Sequence, residues 1–281
     1  IAIDLTGNIF IPEAAGYTNK PEVSQTSSDG KYWVGYIQAG MFKPLLWTEG
    51  TVAELPMPAL NYRNEEFWAG VLARGISANG EIIYGTSWEN DDCGMLYWKN
   101  NGTTVEEPRW VGDDIRRLTP VIVEDWMGEY EYNLVDGCIC TAAELTKISP
   151  SGKWIATTYR KEEVGSDGFI AYVQRPAFYN TETETTTVVE DYGEATGMHV
   201  TDDGIAFIGI GTMFITEGKV YDLNTGTDLG NMADWVAENY GIIIPGGVIE
   251  YISADGRYIF GTSVNALGNG FDDWYIAPPL Q

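Results

Sequence analysis

Ser27-Ser28-Asp29-Gly30 is a four-residue phrase that returns four more times along the chain, each time before a short apolar or aromatic run. A second glycine closes that run in four copies, and the third copy has Thr157 in its place. Self-similarity at a fixed period is the signature of a repeat architecture. The later copies are Ser77-Ala78-Asn79-Gly80, Ser149-Pro150-Ser151-Gly152, Thr201-Asp202-Asp203-Gly204 and Ser253-Ala254-Asp255-Gly256, and the closing glycines are Gly35, Gly85, Gly209 and Gly261.

The glycines that end each phrase give the period of the repeat. Gly30 and Gly80 lie 50 residues apart, and each of the last two intervals spans 52 residues. The interval from Gly80 to Gly152 spans 72 residues. The excess falls well short of another unit, so we interpret it as an insertion at about 108–143.

One unit of this length reads as four short strands. In the fourth copy we predict strands over 196–200, 205–208, 213–216 and 219–223, separated by turns rich in Asp, Glu and Gly. Four antiparallel strands per unit are typical of a β-propeller blade. We therefore predict an all-β, single-domain β-propeller over 1–281, with five four-stranded blades and six as the alternative.

Two segments depart from this plan. Met232–Tyr240 has apolar residues at helical spacing and is followed by Gly241, so we predict a short helix near 231–240. Gly7–Ile11 reads as a strand without a unit of its own, whereas the fifth unit lacks a fourth strand. We expect that first strand to complete the fifth blade and to remove an exposed sheet edge. Deletion of the first twelve residues would then collapse stability.

The composition limits the partners. The chain has 281 residues, 16 of them basic and 41 acidic, which gives a net charge of -25. This field repels phosphate backbones and anionic lipids, so we expect no nucleic-acid partner. No apolar run approaches the roughly 18 residues that a membrane span requires, which argues against direct membrane insertion. We expect a monomer located extracellularly, in the periplasm or at the cell surface, with any signal segment outside this chain.

Known catalytic motifs are not visible in the sequence, and we assign no catalytic residue and no cofactor. His199 is the only histidine, and its place inside a predicted strand favours a structural role. Glu89, Asp91 and Asp92 form an oxygen-rich stretch that makes them weak candidates for calcium ligands. A glycoside-active enzyme with two carboxylates across a sugar ring is the catalytic alternative.

The insertion combines aromatic and acidic residues on an otherwise regular repeat. Loops of this kind carry function more often than the scaffold does. Aromatic rings offer flat faces to sugars, and carboxylates accept hydrogen bonds from hydroxyl groups. We therefore predict a non-enzymatic module that binds a glycan or a protein. A cap with Trp110 and Trp126 buried, or a scaffold for a surface assembly, is the alternative. The candidate ligand-binding residues are Trp110, Asp113, Asp114, Trp126, Tyr130 and Tyr132.

The repeat resembles that of the HAF-repeat family of bacterial extracellular proteins. The resemblance is carried by Ser253-Ala254-Asp255-Gly256 through Gly261, by Leu46–Gly50, and by Met232–Val236 followed by Tyr240-Gly241. It covers most of the chain, although the insertion and Thr157 depart from the pattern. The resemblance implies a propeller and export, and it implies no catalytic residues.

Overall fold

The structure is a computed structural model, and it divides the chain into two compact units. The first consists of Ile1–Asp113 with two short pieces, Cys140–Glu144 and Pro150–Gly152, and the second contains the remainder. A single domain over 1–281 stays a prediction. The residues described are 2–3, 9–10, 17–88, 94–125, 128–140, 148–165, 169–211, 217–244, 247–253, 256–264 and 271–277.

The first unit contains two four-stranded antiparallel sheets, and each is built from strands that follow one another in the chain. A separate pair of two-residue strands, β1 (Ala2–Ile3) and β2 (Ile9–Phe10), lies near the N-terminus. The first sheet consists of β3 (Glu22–Thr26), β4 (Tyr32–Ala39), β5 (Met41–Thr48) and β6 (Thr51–Glu54). The second consists of β7 (Gly70–Ile76), β8 (Ile82–Trp88), β9 (Met95–Lys99) and β10 (Arg109–Trp110).

The second unit contains three antiparallel sheets of five, four and three strands. The third sheet consists of β11 (Arg117–Asp125), β12 (Gly128–Cys140), β13 (Trp154–Val164), β14 (Ile170–Asn180) and β15 (Thr185–Val188). The fourth consists of β16 (Ala195–Val200), β17 (Ile205–Ile210), β18 (Glu217–Asp222) and β19 (Thr227–Asn231). The fifth consists of β20 (Val248–Ile252), β21 (Ile259–Val264) and β22 (Phe271–Ile276).

The predicted fold class is confirmed: the protein is all-β, its five sheets of three or more strands have the strand order of propeller blades, and the described residues contain one short helix. Two sheets depart from four strands, because the third has five and the fifth has three within the described residues. Ile9 and Phe10 pair with Ile3 and Ala2, so the structure does not show the first strand completing the fifth sheet.

The strand assignment within the fourth unit needs a correction. The third strand of this sheet is Glu217–Asp222 and the fourth is Thr227–Asn231. The sequence pattern predicts a turn at Glu217-Gly218 and a fourth strand over 219–223, and both of these assignments are wrong. The predicted third strand over 213–216 lies outside the described residues. The hairpin turn between the third and fourth strands covers residues 223–226 and ends at Gly226, which has a positive φ of 68°.

Two features of the turn recur in all five copies of the repeated phrase. Its first residue has a hydroxyl group that accepts a hydrogen bond from the backbone N–H at the start of the next strand, and the final glycine has a positive φ of 68–87°. Ser27, Ser77 and Ser149 are almost completely buried. The N–H donors and hydroxyl acceptors are Tyr32 to Ser27 (3.1 Å), Ile82 to Ser77 (3.0 Å), Trp154 to Ser149 (3.1 Å), Ile205 to Thr201 (3.0 Å) and Tyr258 to Ser253 (2.9 Å).

Turns of the first unit also bond to one another. The backbone N–H of Ser28 donates to the carbonyl oxygen of Ala78 at 2.9 Å. The N–H of Ala78 donates in turn to the carbonyl of Pro150, also in this unit, at 2.8 Å. The side-chain amide of Asn79 donates to the carbonyl of Ser151 at 3.2 Å. The phrase therefore forms the turn before a strand of each of the five sheets, and in the first unit consecutive turns are linked through backbone groups.

A β-bulge interrupts the first strand of four sheets, and in three of them a closing glycine stands beside it. In the second sheet the bulge lies between Ala73 and Gly75, and Gly85 pairs with Ala73. A Cβ atom on Gly85 would lie 2.6 Å from the carbonyl oxygen of Leu72 and 3.0 Å from the Trp98 ring. Glycine is required there because the two strands and a core tryptophan leave no space for a side chain.

The fourth copy differs from the others in the pairing of the two strands that follow and precede its turn. Its turn is one residue shorter, because the Thr201 N–H donates to the carbonyl of Ile205. The register therefore moves by one, and Ile208 rather than Gly209 pairs with the glycine of the first strand, Gly197. Gly209 is thus not the structural equivalent of Gly85.

The predicted helix is present as α1 (Met232–Tyr240). Asn231 caps its N-terminus, because the side-chain oxygen accepts the Ala233 N–H at 2.7 Å. Gly241 ends it in the left-handed conformation predicted for the C-cap, with a φ of 68°. Met232 and Val236 are completely buried, so the helix packs through the apolar face that its spacing indicated.

We expect Ser77→Ala to lower the free energy of unfolding by about 1–2 kcal/mol, because the Ile82 N–H loses its acceptor in a buried turn. Chemical denaturation monitored by circular dichroism measures the change. Ser28→Ala is the matched control, since this exposed hydroxyl shares its acceptor, Ala78, with the Ser28 N–H. Equal losses in the two variants would contradict the role assigned to the buried hydroxyl.

Gly85→Ala is expected to lower the free energy of unfolding by about 1–3 kcal/mol, because the added methyl group has no space beside Leu72 and Trp98. Gly193→Ala is the control, since a Cβ atom there would meet nothing within 4 Å. Thermal melting of both variants compares them directly, and a Gly85→Ala protein as stable as the control would refute the packing argument.

Candidate functional site

The third sheet departs most from the repeat. It carries the additional strand β11, and its strands β13 and β14 are 11 residues long, whereas β17 and β18 of the fourth sheet have 6. The outer parts of these strands therefore extend the sheet beyond the length that the repeat requires. Much of the predicted insertion forms β11 and β12, which lie beside these long strands in the same sheet.

A buried ion pair lies within the extension. Arg160 and Glu162 are 3.7 Å apart, and their side chains are only 6% and 1% exposed. The Glu162 carboxylate also accepts the backbone N–H of Val135 at 2.9 Å and the hydroxyl hydrogen of Tyr132 at 3.3 Å. Burying charges costs free energy that only a partner charge and further hydrogen bonds can offset. This pair therefore fixes the position of the strands around it.

Tyr172 is held by the same pair. It stands directly opposite Glu162 on β14, and the guanidinium carbon of Arg160 lies 3.4 Å from the centre of its ring. The cation and the π-face attract each other, more strongly where water is excluded. Tyr172 is nevertheless 44% exposed. It is a rigid aromatic side chain, supported from below and open to solvent.

Tyr130 extends this aromatic surface. Its ring packs edge-on against Tyr132, with 6.5 Å between the ring centres, and Tyr130 is 39% exposed. Alternate residues of a strand point to the same face, so Val164, two residues after Glu162, lies on this side and is 44% exposed. We call Tyr130, Tyr132, Val164 and Tyr172 the aromatic face.

A second contact ties β12 to β13. The hydroxyl group of Tyr159 donates a hydrogen bond to the Asp136 carboxylate. Burial, followed by that hydrogen bond, raises the pKa of Tyr159. The hydroxyl therefore stays protonated and keeps its role as a donor over the whole physiological pH range.

Trp110 does not belong to this site. It lies in the fourth strand of the second sheet, where its indole N–H donates to the carbonyl of Leu60 at 3.2 Å. Its ring packs against Tyr62 and Phe67 at the edge of the core. Trp110 was predicted either to bind a ligand or to be a buried residue of a structural cap. The cap fits its half-buried position.

The predicted acidic residues have separate positions. Asp114 accepts hydrogen bonds from the backbone N–H of Thr186 at 2.7 Å and from its hydroxyl group at 2.6 Å, which ties it to β15. Asp113 is exposed. The structure therefore does not place Asp114 on the aromatic face, since its carboxylate is engaged in holding an edge strand.

Several predicted residues cannot be placed. Trp126 and the proposed calcium ligands Glu89, Asp91 and Asp92 lie outside the described residues. In the part of the chain that is described, no group of three or more His, Cys, Asp or Glu side chains could hold a metal ion. None of the helices described is long and apolar enough to cross a membrane.

His199 occupies the buried position that its strand context predicted. It is completely buried in β16, where its ring stacks on Phe207 with 6.2 Å between centres and lies 5.6 Å from Tyr251. This position is that of a core side chain.

Arg160, Glu162 and Tyr172 are the residues that the sequence analysis did not identify. One signal was available, because Arg160 and Glu162 are two positions apart and therefore share a face on any strand that continues from the apolar run of the third copy. Opposite charges at this spacing indicate an ion pair along one strand. The partner Tyr172 could not be found, since it depends on the length of the hairpin.

Comparison with known proteins gives no match to a family model and none to a curated protein. Among solved structures, the chain is similar to TolB from Acinetobacter baumannii (11% identity, 88% of this chain and 50% of that chain, TM-score 0.43). It is also similar to a TolB from Agrobacterium tumefaciens (14% identity, 91% and 73%, TM-score 0.47). The chain thus spans half the length of the first. Matches at this level carry no information on ligand or partner, and the fold assignment rests on the topology of the sheets.

We expect Glu162→Gln to lower the free energy of unfolding by about 3 kcal/mol, because Arg160 would keep a buried charge without its counter-charge. The side-chain amide of the glutamine still has an oxygen that can accept the Val135 N–H. The loss in the free energy of unfolding therefore measures the contribution of the Glu162 charge. Glu163→Gln is the control, since its ion pair with Lys161 is solvent-exposed and worth less than about 1 kcal/mol. Equal effects in denaturant titrations would show that the buried pair does not organise the extension.

Proposed function

We propose that this chain is an exported, non-enzymatic binding module of the HAF-repeat type, and that the aromatic face of the third sheet is its binding surface. The ligand is a glycan or the surface of a protein. The observation that carries the proposal is the exposed Tyr172 ring supported by the buried Arg160 and Glu162. Ordinary packing would bury such a ring, whereas binding surfaces hold aromatic anchors rigidly and leave them open.

The chemistry of the face suits a ligand with flat apolar patches and hydroxyl groups. Tyrosine combines a large apolar ring with a polar hydroxyl group and has few rotatable bonds, so little conformational entropy is lost on binding. The Tyr130–Tyr132 contact and the Arg160–Tyr172 contact both restrict the rings before any ligand arrives. Preorganisation of this kind reduces the entropic cost of association.

The net charge narrows the ligand class. A chain with a net charge of -25 repels polyanions at the short distances over which dissolved salt does not screen the charges. We therefore expect the aromatic face to prefer neutral or cationic ligands over sulfated or phosphorylated ones.

Screening the purified protein on a glycan array, with and without calcium, tests the proposal. We expect neutral or amino-sugar glycans to bind, and Tyr172→Ala and Tyr130→Ala to weaken binding at least tenfold. Tyr275→Ala is the matched control, because this tyrosine is 79% exposed and belongs to β22 of the fifth sheet, whereas the aromatic face belongs to the third. Its binding should equal that of the parent protein.

Two other outcomes are informative. Suppose that no glycan on the array binds, but that a protein partner isolated from extracellular extracts binds the parent protein and not Tyr172→Ala. The ligand is then a protein, and the binding surface is the one proposed. If every ligand found binds Tyr172→Ala, Tyr130→Ala and the parent protein equally, the aromatic face is not the binding surface.

A further inference from the structure

The loop of residues 59–68 in the first unit, which we call the Trp68 loop, has a fixed conformation. The side-chain oxygen of Asn61 accepts the backbone N–H groups of Arg63 and Glu65, both at 2.9 Å. The N–H of Phe67 donates to the carbonyl of Ala59 at 3.2 Å. Phe67 packs against the core of this unit, so the loop is anchored from within.

The same loop presents two large apolar side chains to solvent. Trp68 is 60% exposed and Leu60 is 49% exposed. Trp68 is the only tryptophan among the exposed large apolar side chains of the described residues. Tryptophan is one of the residues that are enriched among the hot spots of protein interfaces.

The same loop also carries an exposed carboxylate. Leu60 pairs with Glu66 across an isolated antiparallel bridge, so these two side chains are neighbours. Trp68 follows Glu66 by two residues in the chain. Glu66 is exposed and makes no ion pair within the described residues, and Glu65 adds a second exposed carboxylate beside it.

We propose that Leu60, Glu66 and Trp68 form a second docking surface, and that it binds a basic segment of a partner protein. An arginine or lysine of that segment would stack on the Trp68 ring and pair with the Glu66 carboxylate, while an apolar neighbour contacts Leu60. Tryptophan is the aromatic side chain that attracts cations most strongly. The charge of -25 supplies the complementary long-range attraction.

The surface is independent of the aromatic face, since no residue is shared and the two lie in different compact units. The proposal therefore does not rest on the proposed function. A chain with both surfaces would hold two ligands of different chemistry.

Fluorescence anisotropy with a labelled peptide of four alternating Arg-Leu pairs tests the proposal on the full chain. We expect saturable binding that is weakened at least tenfold by Trp68→Ala and at least threefold by Glu66→Gln. Trp68→Ala leaves the net charge unchanged, so its effect separates the docking surface from general attraction to an acidic protein. Trp68→Tyr should retain part of the affinity, because the ring face remains.

The control variants remove an aromatic ring or a carboxylate that lies outside the Trp68 loop. Tyr275→Ala deletes an exposed aromatic ring and Glu182→Gln deletes an exposed carboxylate, and both should bind within twofold of the parent protein. A peptide of four Glu-Leu pairs should not bind.

The proposal is overturned if Trp68→Ala, with an unchanged melting temperature, binds the Arg-Leu peptide as the parent does. It is also overturned if the Glu-Leu peptide binds equally well, or if no saturable binding occurs. Loss of peptide binding in Tyr172→Ala with none in Trp68→Ala would assign the basic ligand to the aromatic face instead. That result would support the proposed function while refuting this one.

Discussion

The hydroxyl group at the start of each repeated phrase, which is buried in the first three copies, is the constraint on which the architecture depends. The chain must turn between two strands that are covered by other parts of the protein, where water cannot satisfy a free backbone N–H. Ser27, Ser77 and Ser149 provide the acceptor from within the turn, and Thr201 and Ser253 do the same in the later copies. Only serine or threonine combines a small volume with a hydroxyl group at this distance, which explains why the first residue of the phrase varies so little.

Because the turn is fixed, each unit can vary at its far end without losing the register at its start. The third sheet uses this freedom: Trp154 begins β13 as the repeat requires, yet the strand continues to Val164. Every additional pair of residues then needs its own stabilisation, since the core of the repeat no longer covers it. Arg160 and Glu162 provide that stabilisation with a buried ion pair, and the Tyr172 ring covers the guanidinium group from the solvent side. The exposed aromatic side chains are thus a consequence of how the extension is stabilised.

Sequence reasoning predicted the fold because the period and the turn chemistry are local. The five phrases, the helix Met232–Tyr240 and its cap Gly241 all depend on residues close together in the chain, and the structure confirms them. The sequence-based prediction failed where a change of one residue in a turn shifts the pairing of two strands. In the fourth copy the shorter turn moves Ile208 into the position expected for Gly209. The site was predicted only in part, as Tyr130 and Tyr132 were identified whereas Trp110 packs against the core, and exposure depends on contacts across sheets that no local pattern records.

The same physical argument distinguishes the exposed aromatic side chains of both candidate surfaces from ordinary exposed side chains. A single exposed apolar residue needs no explanation, because more than half of a protein surface is apolar. Tyr172 and Trp68 differ because each stands on a group that has been desolvated or fixed at a cost in free energy: a buried guanidinium in one case, an Asn61-bonded loop in the other. Restriction of an exposed aromatic ring costs rotamer entropy, and at Tyr172 the contact with Arg160 offsets part of that cost in the folded chain. The same restriction lowers the entropy lost on association, so a ring that is held in place within the fold is also prepared for binding.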